Sequence, residues 1–413
     1  MSLIKNRIAC ASALGLLGLL LAPGCTGQGK YTREGISLAE EKMSILKSGT
    51  EWQMAHQAYL SGDLDKALRK VDASLSLNDN VTKSHVLKGR ILLEMGDLGA
   101  ALESLLTAQT IDPQNADANY YLGIVYERLD ETEQAAACYK HACELDGFNP
   151  SYAVAAAEML IDLGRLDEAQ KYLESGPMFE HDAGVRQALG HIAMIQGDPD
   201  LAASMFEEAT LLAPSDNVLL EDLTRAEMAT GKYADAEQNL RRLMKDPDHK
   251  GRRDIQHMRA QCLVELDRPV EAREIYQALL EGDDGLADTE AWIGLANVAF
   301  LIDDQRTLRR CASRVVAMAP ARAEGYALWG LWYRTEGDLD KAVASIDRAI
   351  EARPDDAAMH AFRGVVLADA GRKQEAVDAF TDAVALDPAN AGYQFMLDQA
   401  EQGVFATAPS TTE

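Results

Sequence analysis

The chain of 413 residues carries 66 acidic and 40 basic side chains, which gives it a formal net charge of −26. Such a surface repels nucleic acids and anionic bilayers, which disfavours general nucleic-acid binding and flat docking on an acidic membrane. One compact core is not expected at this length, because single cores stop growing at ~250–300 residues. A hydrophobic content of 47% with only 6% aromatics favours many small helix interfaces instead.

The N-terminal segment has the layout of a secretory signal. Lys5 and Arg7 precede a short apolar run, which ends in the motif Ala22–Cys25. The run is too short for a membrane span. Residues 1–24 resemble a bacterial lipoprotein signal peptide, although the Ala-Pro pair before Gly-Cys departs from the usual motif. The resemblance implies acylation of Cys25 and, because Thr26 replaces the aspartate that retains such proteins at the inner membrane, anchoring in the outer membrane, facing the periplasm. An ordinary signal peptide and an uncleaved anchor are the alternatives.

Three further segments lie outside the main body of the chain. Residues 25–33 are polar and contain glycine, which predicts a tether. Apolar residues at helical spacing predict a capping helix over 34–47 that covers the first repeat through Ile36, Ala39, Met43 and Leu46. At the other end we expect a second capping helix over 391–405, followed by a disordered tail over 406–413. The inward face of this second cap is predicted to comprise Tyr393, Met396, Leu397 and Ala400.

The stretch Ala323–Asp356 shows most clearly the unit that the chain repeats. Large residues and Gly330 recur at the i, i+3, i+4 and i+7 positions of one helix face. Gly337 then marks a turn, and a second helical face begins at Ala342 and ends before Pro354. Gly330 and Ala342 are small where two antiparallel helices must approach closely, so the stretch predicts a helical hairpin with one buried seam.

Units of this kind begin at residues 48, 82, 116, 150, 183, 217, 253, 289, 323 and 357. Their glycines at position 8, alanines at position 20 and prolines at position 32 resemble the tetratricopeptide repeat family, whose period is 34 residues. The resemblance implies an all-α solenoid, a superhelix of about ten repeats over 48–390. Three repeats depart from the pattern and are predicted weak points: the fourth, whose second helix should stop early at Gly176, the sixth with Thr224, and the eighth with Asp303-Asp304.

No arrangement of residues predicts catalysis, a metal site or a cofactor. The eight histidines are scattered, and phosphate-binding and nucleophile motifs are absent. His181 and Asp182 adjoin Glu180, but a solvated loop explains them better than a site. Four cysteines inside predicted helices have neither disulfide nor zinc spacing, so we interpret them as small buried residues: Cys138, Cys143, Cys262 and Cys311.

A partner-binding groove is the better functional prediction. By resemblance, positions 2, 5, 9, 12 and 13 of each first helix line the concave face of the repeats. In the first three repeats these positions mix aromatic and basic groups, which suits a peptide or protein partner of acidic or mixed character. The candidates are Trp52, His56, Tyr59, Lys83, Arg90, Tyr120, Ile124 and Arg128.

Two features of the first repeat qualify this prediction. Counted from Gly62, Trp52 occupies position 5 and faces the groove, but as the family's leading tryptophan it would occupy position 4 and belong to the core. Co-chaperones of the family clamp a terminal carboxylate with lysine at position 5 and asparagine at position 9. Trp52 and His56 occupy those positions here, so recognition of chaperone tails is not supported.

Two clusters of basic residues interrupt the acidic background. Both suit docking of an acidic partner, but we favour the alternative that they are cations near helix C-termini and solvated loop charges. The first cluster comprises Arg241, Arg242, Lys245, His249, Lys250, Arg252 and Arg253, and the second comprises Arg306, Arg309, Arg310 and Arg314.

Together these features predict a cell-envelope lipoprotein that acts as a protein-interaction scaffold and not as an enzyme. The chain resembles envelope lipoproteins of the repeat family that assist assembly of pili, secretion or polysaccharide-export machines, and no motif chooses among these. A lipid anchor is the predicted membrane attachment. The alternative is a regulatory or adaptor subunit of an envelope enzyme such as a peptidase or a glycosyltransferase.

Overall fold

The computed structural model describes residues 30–175 and 181–403, and all regular secondary structure in these ranges is helical. The chain divides into two compact units, Met1–Gly147 and Phe148–Glu413. The predicted signal peptide, Cys25 and the C-terminal tail lie outside the described residues. None of the described helices is long and apolar enough to span a membrane.

The first unit contains three helical hairpins. Each hairpin consists of a first and a second helix, and successive hairpins pack side by side within the unit. Its helices are α1 (Lys30–Leu60), α2 (Leu64–Leu77), α3 (Thr82–Met95), α4 (Leu98–Ile111), α5 (Ala116–Arg128) and α6 (Thr132–Leu145).

The second unit contains seven further hairpins, two short additional helices and a terminal helix. Its helices are α7 (Pro150–Asp162), α8 (Leu166–Glu174), α9 (Ala183–Gln196), α10 (Pro199–Leu212), α11 (Asn217–Ala229), α12 (Tyr233–Leu243), α13 (Pro247–Lys250), α14 (Arg253–Glu265), α15 (Pro269–Leu279), α16 (Gly282–Leu286), α17 (Thr289–Leu301), α18 (Gln305–Met318), α19 (Ala323–Thr335), α20 (Leu339–Ala352), α21 (Ala357–Asp369), α22 (Lys373–Leu386) and α23 (Ala391–Gln402).

The starts of the repeats follow the sequence spacing closely. From the second repeat onward, each first helix begins at the residue that the spacing predicts. The sixth and seventh repeats are two residues longer than the usual period, and the short helices α13 and α16 lie in these longer connections. As predicted, the second helix of the fourth repeat is short, since α8 has 9 residues against 14 in α10.

The seam of each hairpin explains the glycine at position 8. A Cβ on Gly330 would lie 2.7 Å from Ile346 Cγ1, and one on Gly123 would lie 2.4 Å from Tyr139 Cε1. A large side chain at position 24 of the second helix therefore packs directly over the glycine backbone. The alanines at position 20 are buried in the same seam. Leu308 replaces alanine in the eighth repeat and is also fully buried.

The turn inside each hairpin explains the Gly-Asp pair. The residue at position 15 has a positive φ in all ten repeats, which glycine adopts without steric cost. Asp130, Asp267 and Asp303 occupy this position in three repeats with φ between 55 and 59°. Where aspartate follows, its side chain caps the second helix, as Asp63 does by accepting a hydrogen bond from the Lys66 N–H at 3.1 Å.

The prediction of a separate N-terminal capping helix is wrong. Residues 34–47 belong to α1, a continuous helix of 31 residues that already begins within the predicted tether. The hydroxyl of Ser44 donates to the carbonyl of Leu77, the last residue of α2, so the part of α1 before this point extends beyond its hairpin partner. Met43 and Leu46 are therefore 52% and 68% exposed instead of covering the first repeat.

The predicted cap at the C-terminal end is present as α23. Ala400 is buried in the core of the last two repeats, and Tyr393, Met396 and Leu397 pack against that core. Three of the four helical cysteines are buried and Cys138 is half-buried. Burial raises the pKa of the Cys138 and Cys262 thiols to about 11, as expected for structural cysteines.

Candidate partner-binding surface

The first helices α1, α3 and α5 lie side by side in the first unit, and their side chains meet at two fixed spacings. Tyr59 contacts Arg90, 31 residues later, and Glu94, 35 residues later. The repeat period is 34 residues. The first contact therefore joins residues that are three fewer than one period apart, and the second joins residues that are one more than a period apart. Two neighbouring helices in parallel orientation meet in this way when one is slightly displaced along the other, because residues three or four apart share a helix face.

Trp52, His56 and Lys83 form the first cluster on this surface. The rings of Trp52 and His56 are stacked, with centroids 5.2 Å apart and planes 6° apart. The ammonium of Lys83 lies 4.4 Å from the centroid of the Trp52 ring. The Trp52 indole N–H donates to the carbonyl of Lys83 at 3.2 Å. The three predicted residues therefore form one continuous aromatic and cationic patch.

Both interpretations of Trp52 describe part of its position. Its ring packs against the buried residues of the first hairpin, which include Ala55 and Val71. It is nevertheless half-buried, and its other contacts are to His56 and Lys83 on the first-helix surface. A residue placed in this way joins the core to the surface, as tryptophan often does where one end of the ring is apolar and the other is wet.

Tyr59, Arg90 and Tyr121 form the second cluster. The guanidinium of Arg90 lies 5.0 Å from the centroid of the Tyr59 ring and 4.7 Å from that of Tyr121, so two aromatic rings flank one cation. The Tyr59 hydroxyl donates to Glu94. Burial and this hydrogen bond raise the pKa of Tyr59, and burial raises that of Tyr121, so both rings remain neutral at physiological pH.

Of the remaining predicted residues, Tyr120 contacts the second cluster, whereas Ile124 and Arg128 make other contacts. Tyr120 lies edge-on against Tyr121, with centroids 5.4 Å apart, and also contacts Tyr139 of the second helix of its own repeat. Ile124 packs against the core. Arg128 donates to the carbonyl of Leu93, near the end of α3, at 2.9 Å. Tyr120 therefore contacts the second cluster at Tyr121, and Arg128 links two repeats through the backbone.

Sequence reasoning missed Tyr121 and Glu94. The position rule of the family points to Tyr120, whereas the structure places Tyr121 beside Arg90. The spacing between neighbours would have found both missed residues. Tyr121 follows Arg90 by the same 31 residues that separate Trp52 from Lys83, and Glu94 follows Tyr59 by 35.

The first basic cluster has a structural role that neither interpretation anticipated. Arg252 donates both ends of its guanidinium to Glu221, a first-helix carboxylate that is only 6% exposed. His249 Nε2 lies 3.2 Å from the same carboxylate, and Arg225 donates to it at 3.2 Å. We call this group, with the carboxylates described next, the buried-acid network.

Two more buried or half-buried carboxylates belong to this network. Glu237 accepts from Arg241 at 2.7 Å and from Arg259 at 3.0 Å. Asp288 accepts from Arg253, and His257 Nε2 lies 3.0 Å from it. Burial alone would raise the pKa of Asp288, but hydrogen bonds from Ala291, Arg253 and His257 outweigh it and lower the pKa. Much of the first basic cluster therefore neutralises acids inside the protein.

The described residues contain no group of three or more histidine, cysteine, aspartate or glutamate side chains arranged to hold a metal ion. Asp182 caps α9 by accepting from the Val185 N–H at 3.0 Å, which accounts for one member of the His-Asp pair noted in the sequence. The arrangement of the first-helix surface in the first unit can hold a partner through ring faces and cations, and it brings together no nucleophile with a base.

Comparison with protein families identifies the repeats. Models described as "Tetratricopeptide repeat" match residues 116–149, 150–171, 188–249, 221–287 and 328–391, and a model described as "TPR repeat" matches residues 89–130. Together these matches cover more than half of the chain.

Individual relatives match part of the chain. The chain is 30% identical to Tetratricopeptide repeat protein 37 of Xenopus laevis over 147 residues, which is 34% of this chain and 9% of that protein. It is 24% identical to the BBSome complex member BBS4 of Bos taurus over 52% of this chain and 44% of that protein. The chain thus spans less than half the length of these relatives.

Solved structures also resemble the chain only distantly. A tetratricopeptide repeat protein from Parabacteroides merdae is 16% identical, with a TM-score of 0.44, over 61% of this chain and 99% of that protein. This likeness is too distant to indicate a shared partner.

Proposed function

Because this chain belongs to the tetratricopeptide repeat family, whose repeats bind peptide or protein partners, we propose that it is a membrane-anchored protein-interaction scaffold of a bacterial cell envelope. Its partner is a peptide or protein segment of acidic or mixed character. The segment binds the first-helix surface of the first three repeats and contacts Trp52, His56 and Lys83 together with Tyr59, Arg90 and Tyr121. We assign it no catalytic activity of its own.

The proposal depends on one observation, the arrangement of Arg90 between two tyrosine rings. Tyr59 and Arg90 are half-buried, and the guanidinium lies close to two tyrosine rings before any partner arrives. A side chain fixed in this way loses little conformational freedom on binding. Tryptophan, tyrosine and arginine are also the residues that most often dominate interface energies. Such a surface suits a partner that supplies a carboxylate and an apolar side chain.

The proposed location depends on the N-terminal sequence. Acylation at Cys25 would hold the chain to the outer membrane, with the repeats in the periplasm. Cys25→Ala should then abolish labelling by a fatty-acid probe and release the protein from the membrane fraction. Wild-type protein that takes up no label would contradict the lipid anchor and leave the proposed binding surface untouched.

Partner capture tests the binding surface. Cells producing the tagged protein are crosslinked, the membranes are solubilised in detergent, and the captured partners of each variant are compared with those of the wild type. Tyr59→Ala combined with Arg90→Ala should reduce capture roughly tenfold or more, because a desolvated anchor carries ~2 kcal/mol or more of binding. Because Tyr59 also packs against the core of the first hairpin, circular dichroism and thermal unfolding of the variant establish that it remains folded.

The matched control is Lys66→Ala combined with Arg69→Ala, two exposed cations on the second helix α2. This pair should leave capture unchanged. Equal loss of capture by both pairs would indicate general charge attraction and contradict the proposed surface. Capture of an envelope enzyme whose turnover changes on binding would instead favour the adaptor-subunit alternative.

A further inference from the structure

The second basic cluster lines a groove on a different part of the repeat. Arg306, Arg309, Arg310 and Arg314 lie on α18, the second helix of the eighth repeat, at spacings that place them along one side of the helix. Trp292 of α17 and Trp329 of α19 complete the lining, and the groove has a volume of about 790 Å³. We call these six residues the arginine groove.

The four arginines differ from those of the buried-acid network in forming no salt bridge with a carboxylate of residues 30–175, 181–282 or 285–403. Asp304, at the start of α18, has its pKa lowered in part by the charge of Arg310. Arg309 lies 5.2 Å from the centroid of the Trp332 ring, Arg310 lies 5.8 Å from that of Trp292, and Arg314 donates to the carbonyl of Leu286 at 3.4 Å. In a chain of net charge −26, four neighbouring unpaired guanidinium groups form a local site of positive potential.

The groove also offers an apolar contact. Trp329 stacks on Tyr333, with centroids 5.5 Å apart, and meets Trp332 edge-on at 5.4 Å, so its ring is fixed by its neighbours. Trp329 also lines an adjoining cavity of about 260 Å³, together with the basic residues Lys341 and Arg348. Leu286, which also lines the groove, is 42% exposed. A bound chain could therefore place carboxylates on the arginines and an apolar side chain on Trp329.

We propose that the arginine groove binds an acidic peptide segment of a protein partner. Planar guanidinium groups recognise carboxylates through two parallel hydrogen bonds, and a rigid tryptophan beside them provides the apolar anchor. A protein segment fits better than a nucleic acid, because a long polyanion would be repelled by the acidic surface beyond the groove. The site is centred on the second helix α18 and shares no residue with the surface of the first three repeats in the proposed function, so either can fail without the other.

Intrinsic fluorescence provides the measurement, since three of the four tryptophans lie in or beside the groove: Trp292, Trp329 and Trp332. The probe is an acetylated and amidated octapeptide of six glutamates and two leucines, compared with the same peptide carrying glutamines in place of glutamates. We expect the acidic peptide to change the fluorescence saturably at low salt and the glutamine peptide not to. Affinity should fall as salt rises from 50 to 200 mM.

Two variants locate the site. Arg309→Gln combined with Arg314→Gln should weaken binding at least tenfold. Arg309→Lys combined with Arg314→Lys keeps the charge but removes the two-pronged geometry, so it should give an intermediate affinity. The control Lys245→Gln combined with Lys250→Gln removes two exposed positive charges from the first basic cluster and should leave binding unchanged. Circular dichroism establishes that every variant is folded.

Five results would overturn the proposal. The acidic peptide could bind no better than the glutamine peptide at low salt. The lysine control could weaken binding as much as the groove pair, which would indicate general charge attraction. A single-stranded oligonucleotide of equal charge could bind more tightly than the peptide, or sedimentation could show that the groove joins two copies of the chain. Loss of binding with Tyr59→Ala and Arg90→Ala instead of the groove pair would assign the peptide to the first unit.

Discussion

The buried-acid network and the arginine groove are both rich in arginine, yet the two regions use arginine in opposite ways. In the network, Arg252 and Arg253 pair with Glu221 and Asp288, carboxylates that the fold has largely withdrawn from water. In the groove, Arg309 and Arg310 lie over tryptophan rings and form no salt bridge with a carboxylate of residues 30–175, 181–282 or 285–403.

The difference follows from the helices that carry the charges and not from the local composition. Arg252 precedes a first helix, where the neighbouring first helix offers Glu221 at a spacing of 31 residues. The groove arginines lie on a second helix, and the neighbouring surfaces of α17 and α19 offer Trp292, Trp329 and Trp332. A run of basic residues therefore contributes to folding or remains available to a partner according to what the adjacent repeat places opposite it.

Gly330→Leu should have the largest effect of the variants considered. It disrupts the arginine groove and leaves every charge unchanged. A Cβ at this position already meets Ile346 at 2.7 Å, so a leucine overpacks the seam between α19 and α20 at a cost of ~3 kcal/mol or more. Stability in a repeat array is approximately local plus nearest-neighbour. Hydrogen exchange should accelerate in repeats eight to ten and remain slow in the buried-acid network. A uniform change along the second unit would contradict this local behaviour.

Arg252→Met should separate the two regions by stability. It leaves Glu221 buried with weaker compensation, and breaking a buried ion pair in this way costs several kcal/mol. Because Arg225 and His249 still contact Glu221, we expect a loss of roughly 2–3 kcal/mol in urea unfolding. The matched variant Arg309→Met should change stability by less than ~0.5 kcal/mol, as is usual for a surface substitution. Equal losses would mean that the groove arginines also serve folding.

Glu227 provides a third case, a buried carboxylate without an arginine. It is 8% exposed, and its partner is the side-chain amide of Asn239, which donates to it at 2.9 Å. Burial raises the pKa of Glu227 from 4.5 to about 7. Because the folded pKa lies above the unfolded value, the contribution of this group to stability is greatest below pH 4.5 and is lost as the pH rises through 7.

Glu227→Gln should therefore stabilise the second unit at pH 8 by ~2 kcal/mol and change it little at pH 5. Urea unfolding of both proteins between pH 5 and pH 8 measures the difference. Glu274→Gln, which removes an exposed carboxylate from α15 of the same unit, is the control and should show no such pH dependence. A difference between Glu227→Gln and the wild type that stays constant with pH would show that Glu227 does not titrate in this range.

The sequence predicted most of the residues of the candidate site, but only part of the way in which they contact one another. The family positions selected Trp52, Tyr59, Lys83 and Arg90, and the structure brings them together in two clusters. The same rule selected Tyr120 instead of its neighbour Tyr121. An error of one residue rotates a side chain by about 100° around a helix, and only the packing of α3 against α5 decides which tyrosine meets Arg90.

The sequence by itself determined the features that every repeat must satisfy locally. The seam glycines, the positive-φ turn residues and the aspartate caps recur because each hairpin has to solve the same steric and hydrogen-bonding problem. Because ten repeats share these features, the period, the helix starts and the early end of α8 can be predicted from the sequence alone.

Only the tertiary structure decided what lies opposite each exposed side chain. The pairing of Arg252 with Glu221, the unpaired arginines of the groove and the uncovered start of α1 all depend on the displacement between neighbouring helices and on where each helix ends. A displacement of a few residues leaves the repeat pattern unchanged but exchanges one set of neighbours for another. Such offsets result from the packing of whole helices, and no single residue in the repeat encodes them.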